Sequence, residues 1–181
     1  MSYRYFSHFK TIVIHKYYVF SYCLKAGIIW RGLVHDLSKF SPTEFLESSR
    51  YYTGTISPII RCKNETGMSK AWLHHKGRNK HHYEYWQDNF DNGVEHLQMP
   101  YKYALELICD YLAAGKTYSN QEFSYYSEYL WWGEKRRVAA MHPHTKQFVE
   151  IMLKTMKDEN SDDVLRKHRS LSLYNNIKGG N

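Results

Sequence analysis

The chain has 181 residues, 43% of them apolar, which suits one domain able to bury its own core without disulfide staples. Aromatics at 17% exclude a disordered chain, and a formal charge of +7 favours anionic partners: phosphorylated small molecules, nucleic acid or an anionic surface. Cys23, Cys62 and Cys109 are widely spaced and form no Cys-x-x-Cys, so neither a disulfide framework nor a zinc ribbon is expected. They read as free core thiols in a reducing cytoplasm. The most apolar early stretch, "TIVIHKYYVF", is interrupted by His15 and Lys16, so no membrane span is expected, and the protein reads as soluble and cytoplasmic.

A first helix is predicted over about 5–25, where Phe9, Ile12, Val13, Tyr17 and Phe20 recur at steps of three and four. Gly27 is its stop, and a shorter helix covers about 28–38. "SPTE" reads as a capping box, with Ser41 accepting from the backbone, Glu44 reaching back and Pro42 at the first helical position, so a third helix runs from 42 to about 51. "YTGTISPIIRCKNETG" reads as a long connection. A helix over 69–75, the basic break "KGRNK", a helical segment over 81–90 and a turn at "DNG" follow. Pro100 opens "YKYALELICDYLAAGKTY", on which Tyr103, Leu107, Asp110, Tyr111 and Ala114 share a stripe. Helices over 121–141 and through "PHTKQFVEIMLKTMK" complete the series. With no repeats and no period-two run, the fold class is all-α: a compact multi-helix bundle over 1–158, with a polar, partly frayed tail over 159–181.

Several polar residues fall on apolar segments. His15 sits among Ile12, Val13, Ile14 and Val19; His35 and Asp36 follow Leu33 and Val34; Asp110 lies between Ile108 and Leu112. A buried carboxylate needs a partner. Any one of these alone is an ordinary core polar group, but two His and two Asp together can complete a metal shell that satisfies both carboxylates.

The order His15, His35-Asp36, Asp110 resembles the H…HD…D signature of the HD-domain superfamily, and "HDLSK" is similar to its HD-(I/L)-x-K wording, which gives Lys39 a counterpart. Two-metal members carry a further His and then a His pair, and here His75 and His81-His82 follow in that order before Asp110. The H-x-x-x-N-x-H-H spacing of His75, Asn79, His81 and His82 also resembles a group of small bacterial and phage proteins. The resemblance implies an all-helical, metal-dependent phosphohydrolase. Its metal ligands would be His15, His35, Asp36, His75, His81, His82 and Asp110, holding one or two divalent ions (Mn, Fe, Co, Ni or Zn), with Asp36 as the bridge if there are two. His74 and His75 are adjacent and point about 100° apart, so only one can face inward.

A metal-activated water would attack the phosphorus of a nucleotide or another small phosphorylated substrate, with Asp36 and Lys39 as the catalytic groups and Lys39 offsetting phosphoryl charge. Arg78 and Asn79, in the loop between the His clusters, join Lys39 as candidates for holding substrate, against the plainer reading of a solvated basic loop. Two other functions remain open: a di-iron oxygenase of the same fold, and a non-catalytic module binding nucleic acid or other anions. Trp131-Trp132 would serve the latter by stacking, although their spacing fits helix packing better. No membrane partner is expected, and the abundance of Tyr leaves a homodimer open.

Overall fold

The structure, a computed structural model, describes residues 2–118 and 122–177. Within them the chain is mostly helical, with one small hairpin. In chain order come α1 (Ser2–Lys25), α2 (Ile29–Val34), α3 (Pro42–Tyr51), α4 (Pro58–Thr66), α5 (Lys70–Lys76), β1 (Gln87–Phe90), β2 (Gly93–His96), α6 (Tyr101–Tyr118), α7 (Tyr125–Val138), α8 (Pro143–Glu159) and α9 (Lys167–Asn176). None of the helices among the described residues is long and apolar enough to cross a membrane. All three cysteines are free and buried, as their spacing suggested.

The core is built around α6. Leu105, Leu107, Ile108, Cys109 and Leu112 are fully buried there, against Val19 and Cys23 of α1, Trp132 of α7, and Phe148, Val149 and Met152 of α8. Burial of each large side chain contributes about 1.5–3 kcal/mol. That holds α6 at the centre, with Glu106 fully buried and Asp110 partly buried on it, while Lys102 near its start is exposed.

Four expected segments outside residues 28–40 differ. The connection over 52–67 contains a helix, α4, which starts like α3 on a Ser-Pro pair, with Pro58 at its first position, and stops at Gly67 in the left-handed region. Its buried face is only Pro58 and Cys62, too short to show a period. The helix expected over 81–90 is a 3-10 turn, Tyr83–Trp86, followed by β1, which pairs antiparallel with β2 in the register Gln87↔His96 to Phe90↔Gly93. Nearly all of both strands is exposed, so the hairpin rests on its Asp91-Asn92 turn and backbone pairing, without alternating burial.

The helix expected over 121–141 begins at Tyr125, where Ser124 and Ser127 form a reciprocal capping box; the expected start, Gln121, lies outside the described residues. The segment expected to be a frayed tail instead forms a 3-10 turn, Asp163–Leu165, and α9. Val164 and Leu165 are fully buried, and the Tyr174 hydroxyl donates to the Met99 carbonyl at 2.6 Å. Two apolar residues inside a polar run carry no periodicity, yet they anchor the segment. The terminal "KGGN" lies outside the described residues.

Candidate metal centre

The helix expected over 28–38 breaks where the chemistry sits. α2 stops at Val34, and Asp36 takes a left-handed backbone (φ 54°, ψ 26°) before a 3-10 turn over Leu37–Phe40. Such a conformation is tolerated by Asp better than by most residues and still costs roughly 1 kcal/mol or more. Lys16 holds the break: its Nζ donates to the carbonyls of Leu33 and His35, each at 2.8 Å. Gly32 lets α2 approach α1, since a Cβ there would lie 2.7 Å from Cβ of Cys23. The result turns both His35 and Asp36 into the core, 1% and 3% exposed.

The residues proposed from sequence meet there. Ligand atoms of His15, His35, Asp36 and Asp110 all lie within 4.8 Å of one another, and so do those of Asp36, His75, His81 and His82. Asp36 belongs to both groups, and either could hold a metal ion. His15 comes from α1, His75 from α5, His81 and His82 from the loop after it, and Asp110 from α6. His15 Nε2 is 2.9 Å from Asp110 Oδ1, and His75 Nε2 and His81 Nε2 are 3.3 and 3.4 Å from Asp36 Oδ1.

These approaches lack hydrogen-bond geometry. Asp36 Oδ1 and the Nε2 atoms of His15, His35, His81 and His82 are buried without a hydrogen-bond partner among the described residues, while Asp36 Oδ2 faces Lys39. One such atom in a core would cost about 1–3 kcal/mol, so a convergent set of lone pairs fits a cation that all of them share.

Two carboxylates that the sequence reading did not assign to the site stand behind the imidazoles. His35 Nδ1 donates to Glu106 Oε1 at 3.0 Å, and His75 Nδ1 to Glu44 Oε2 at 2.7 Å. A proton on Nδ1 leaves Nε2 of each ring with its lone pair toward the centre, the usual arrangement of a metal-ligating histidine. Glu106 also accepts from Arg31 Nε at 2.6 Å and is fully buried. Glu106 precedes Asp110 by four residues, so both fall on one face of α6, a spacing visible in "ELICD". Glu44 had no such signal. Its backbone N–H does donate to Ser41, at 3.4 Å, but its carboxylate takes His74 and His75 and does not reach back to complete the capping box. His74 is thereby held outside the centre and His75 inside it.

The electrostatics of the two aspartates suit ligands, while burial, which opposes charge on His35, is overcome by Asp36, Asp110 and Glu106, which hold its imidazole well above its ordinary value. Burial opposes charge on Asp36, but His35, Lys39, His75 and His81 outweigh it and hold its carboxyl well below the usual range. Asp110 is likewise held low, against burial, by His15 and His35. Burial pushes His15 and His82 below the ordinary imidazole value, which leaves them neutral.

Lys39 Nζ lies 2.7 Å from Asp36 Oδ2, and Lys39 also lines a cavity of about 210 Å³ over the centre, with His15, His75, His82 and Asp110. A second cavity, about 580 Å³, shares His82 and Asp110 as part of its lining. Neither cavity is lined by Arg78 or Asn79, the expected substrate contacts. Arg78 is exposed, while Asn79 is buried and donates to the His75 carbonyl and to Ser38 Oγ, both at 2.8 Å. Asn79 therefore braces the loop that carries the His cluster. Trp132 is fully buried and donates to Glu150 at 2.7 Å, as packing would have it, whereas Trp131 lines the larger cavity. His142 caps α8, its Nδ1 accepting from the His144 N–H at 3.2 Å.

Residues 4–155 match the model of a family described as "Family of unknown function (DUF5662)", and the chain belongs to that family. No curated protein and no solved structure matches it.

Proposed function

For this member of the family we propose a metal-dependent phosphohydrolase of the HD type, acting on a nucleotide or another small phosphorylated compound. The observation that supports the reading is the shared carboxylate: Asp36 belongs to both groups of potential ligands, and both of its oxygens are buried, one of them facing Lys39. His15, His35 and Asp110 would complete one shell, and His75, His81 and His82 the other. Both shells are of nitrogen and oxygen donors, which suits Mn, Fe, Co, Ni or Zn. A bound divalent ion lowers the pKa of its water and supplies a nucleophile near neutral pH.

The chain's own residues supply the rest. Glu106 and Glu44 fix the tautomers and ring orientations of His35 and His75. Lys39 stays cationic, because Asp36 and Asp110 outweigh the burial that opposes its charge. From the wall of the smaller cavity, its ammonium can offset charge building on phosphoryl oxygens.

The same donor set would suit a di-iron oxygenase, and the shared carboxylate favours two-metal chemistry of either kind. Elemental analysis of untagged protein, followed by phosphate-release and oxygen-consumption assays with several divalent metals, separates them. The hydrolase reading expects phosphate release dependent on Mn, Co or Ni. Asp36→Asn, which tolerates the left-handed backbone, should lower that activity roughly a hundredfold or more. Tightly held iron with oxygen uptake and no phosphate release would give the oxygenase instead. Protein that binds no metal would sink both and leave an anion-binding module.

A further inference from the structure

The larger cavity contains a carboxyl group that the hydrolytic centre does not use. Glu128 of α7 is 7% exposed, lines this cavity, and has no hydrogen-bond or ion-pair partner among the described residues. Lys135 lines the same space without pairing to it. The fold makes room for Glu128 at a cost. A Cβ on Gly115 of α6 would lie 1.9 Å from Glu128 Oε1, so the carboxyl rests directly on the backbone of a helix that carries glycine in its interior. Glycine there costs about 0.5–1 kcal/mol relative to alanine. A buried carboxyl without a hydrogen-bond or ion-pair partner is a further penalty, even though Glu84 and Asp110 line the same cavity. Two unfavourable choices at one spot are explained if the acid has a partner that arrives with the ligand.

The surroundings narrow the ligand. Trp72, Tyr111 and Trp131 contribute rings, Ile56 and Ile60 add aliphatic surface, and the volume of about 580 Å³ is that of a small-molecule site. Rings and aliphatic surface of this kind suit a flat heterocycle. His82 and Asp110 lie at the edge shared with the smaller cavity, so one molecule can extend from Glu128 to the metal centre.

We propose that Glu128 is the recognition residue for a nucleobase, its carboxyl pairing with the N–H edge of the ring while the phosphate end reaches the His/Asp centre. The assignment rests on the hydrolase reading for the phosphate but not for the base. Free nucleosides, which lack the phosphate, therefore test it independently.

Calorimetric titration of the full chain, with and without Mn, is performed with guanosine, adenosine, cytidine and uridine, and with 1-methylguanosine and 3-methyluridine as analogues whose ring N–H is blocked. At least one unmodified nucleoside should bind, with about tenfold or greater preference over a blocked analogue where one exists. Glu128→Ala should lower its affinity about tenfold or more, the expected cost of losing a buried hydrogen bond to a carboxyl group. Thermal unfolding of the variant guards against misfolding, and Glu128→Gln, which keeps a donor and an acceptor in place, should retain part of the affinity. Absence of binding by all four nucleosides to folded protein, or equal binding by wild type and Glu128→Ala, overturns the proposal. Nucleoside binding without phosphate release from any nucleotide would instead leave Glu128 as assigned and refute the hydrolase.

Discussion

Replacing Glu128 by Gln should stabilise the free protein, and by an amount that depends on pH. Burial raises the Glu128 carboxyl from an ordinary 4.5 to about 7, with no neighbouring charge contributing. Below pH 4.5 the acid is neutral in both folded and unfolded chains, and Glu and Gln differ little. Between 4.5 and 7 the unfolded chain has released the proton that the folded chain keeps, so wild-type stability falls as pH rises. Above 7 both forms are ionised and the penalty is constant. At about 1.4 kcal/mol per pH unit the full window is worth about 3 kcal/mol, and solvent in the cavity reduces this to about 2 kcal/mol. Glu128→Gln removes the titration. Its advantage over wild type should grow from near zero at pH 4.5 to about 2 kcal/mol at pH 7.5, or about 4–8 °C in Tm for a chain of this size. Urea unfolding of metal-free protein at four or five pH values measures it. A difference between the two proteins that does not change with pH would refute the claim that the carboxyl is buried without a partner.

Other consequences are equally open to measurement. Gly115→Ala should change stability by less than about 1 kcal/mol, because its methyl meets only the flexible end of Glu128, which can swing into the adjoining cavity; denaturation of both single variants and of the double variant with Glu128→Ala reads the coupling. Glu106→Gln should weaken metal binding about 10–100-fold through the orientation of His35, seen by competition with a chelating dye. Saturating Mn or Zn at a hundred times Kd should stabilise the folded chain by about 2.7 kcal/mol, a shift that chelator reverses and Asp36→Asn abolishes. His8, stacked on Phe45 and pushed down to about 4 by burial and Lys39, contributes stability that is complete above pH 6.5 and is lost as pH falls toward 4; His8→Phe should flatten that part of the acid limb in urea unfolding.

The parts of the fold legible in the sequence were those in which one chemical signal sufficed. Ser41-Pro42 placed the start of α3, and the apolar period of "YKYALELICDYLAAG" placed α6. α4 and α9 were hidden because each buries only a few residues, so tertiary packing rather than amphipathic period holds them. The site followed the same division. Histidines and aspartates on apolar segments are conspicuous, since the chain has little reason to place them there unless something pairs with them, and the structure does bring His15, His35, Asp36, His75, His81, His82 and Asp110 together. The supporting carboxylates were less visible, because a glutamate near a helix start has a cheap local explanation. Glu44 satisfies that local rule only in part and spends its carboxylate on two imidazoles thirty residues away in sequence. Glu128 was invisible for the opposite reason: on α7 it looks like a solvated helix residue, and only the approach of Gly115 from another helix shows that it is enclosed. Candidate ligands can therefore be read from local sequence contrast, whereas the groups that orient them, or that line the cavity beside them, are defined by contacts between helices. In this chain those contacts converge on α6, which carries Glu106, Asp110 and Gly115 at intervals of four and five residues: the partner of His35, a candidate ligand and cavity wall on one central rod. A disturbance of α6 packing should therefore affect metal affinity and base recognition together, while changes in α7 around Glu128 should affect only the second.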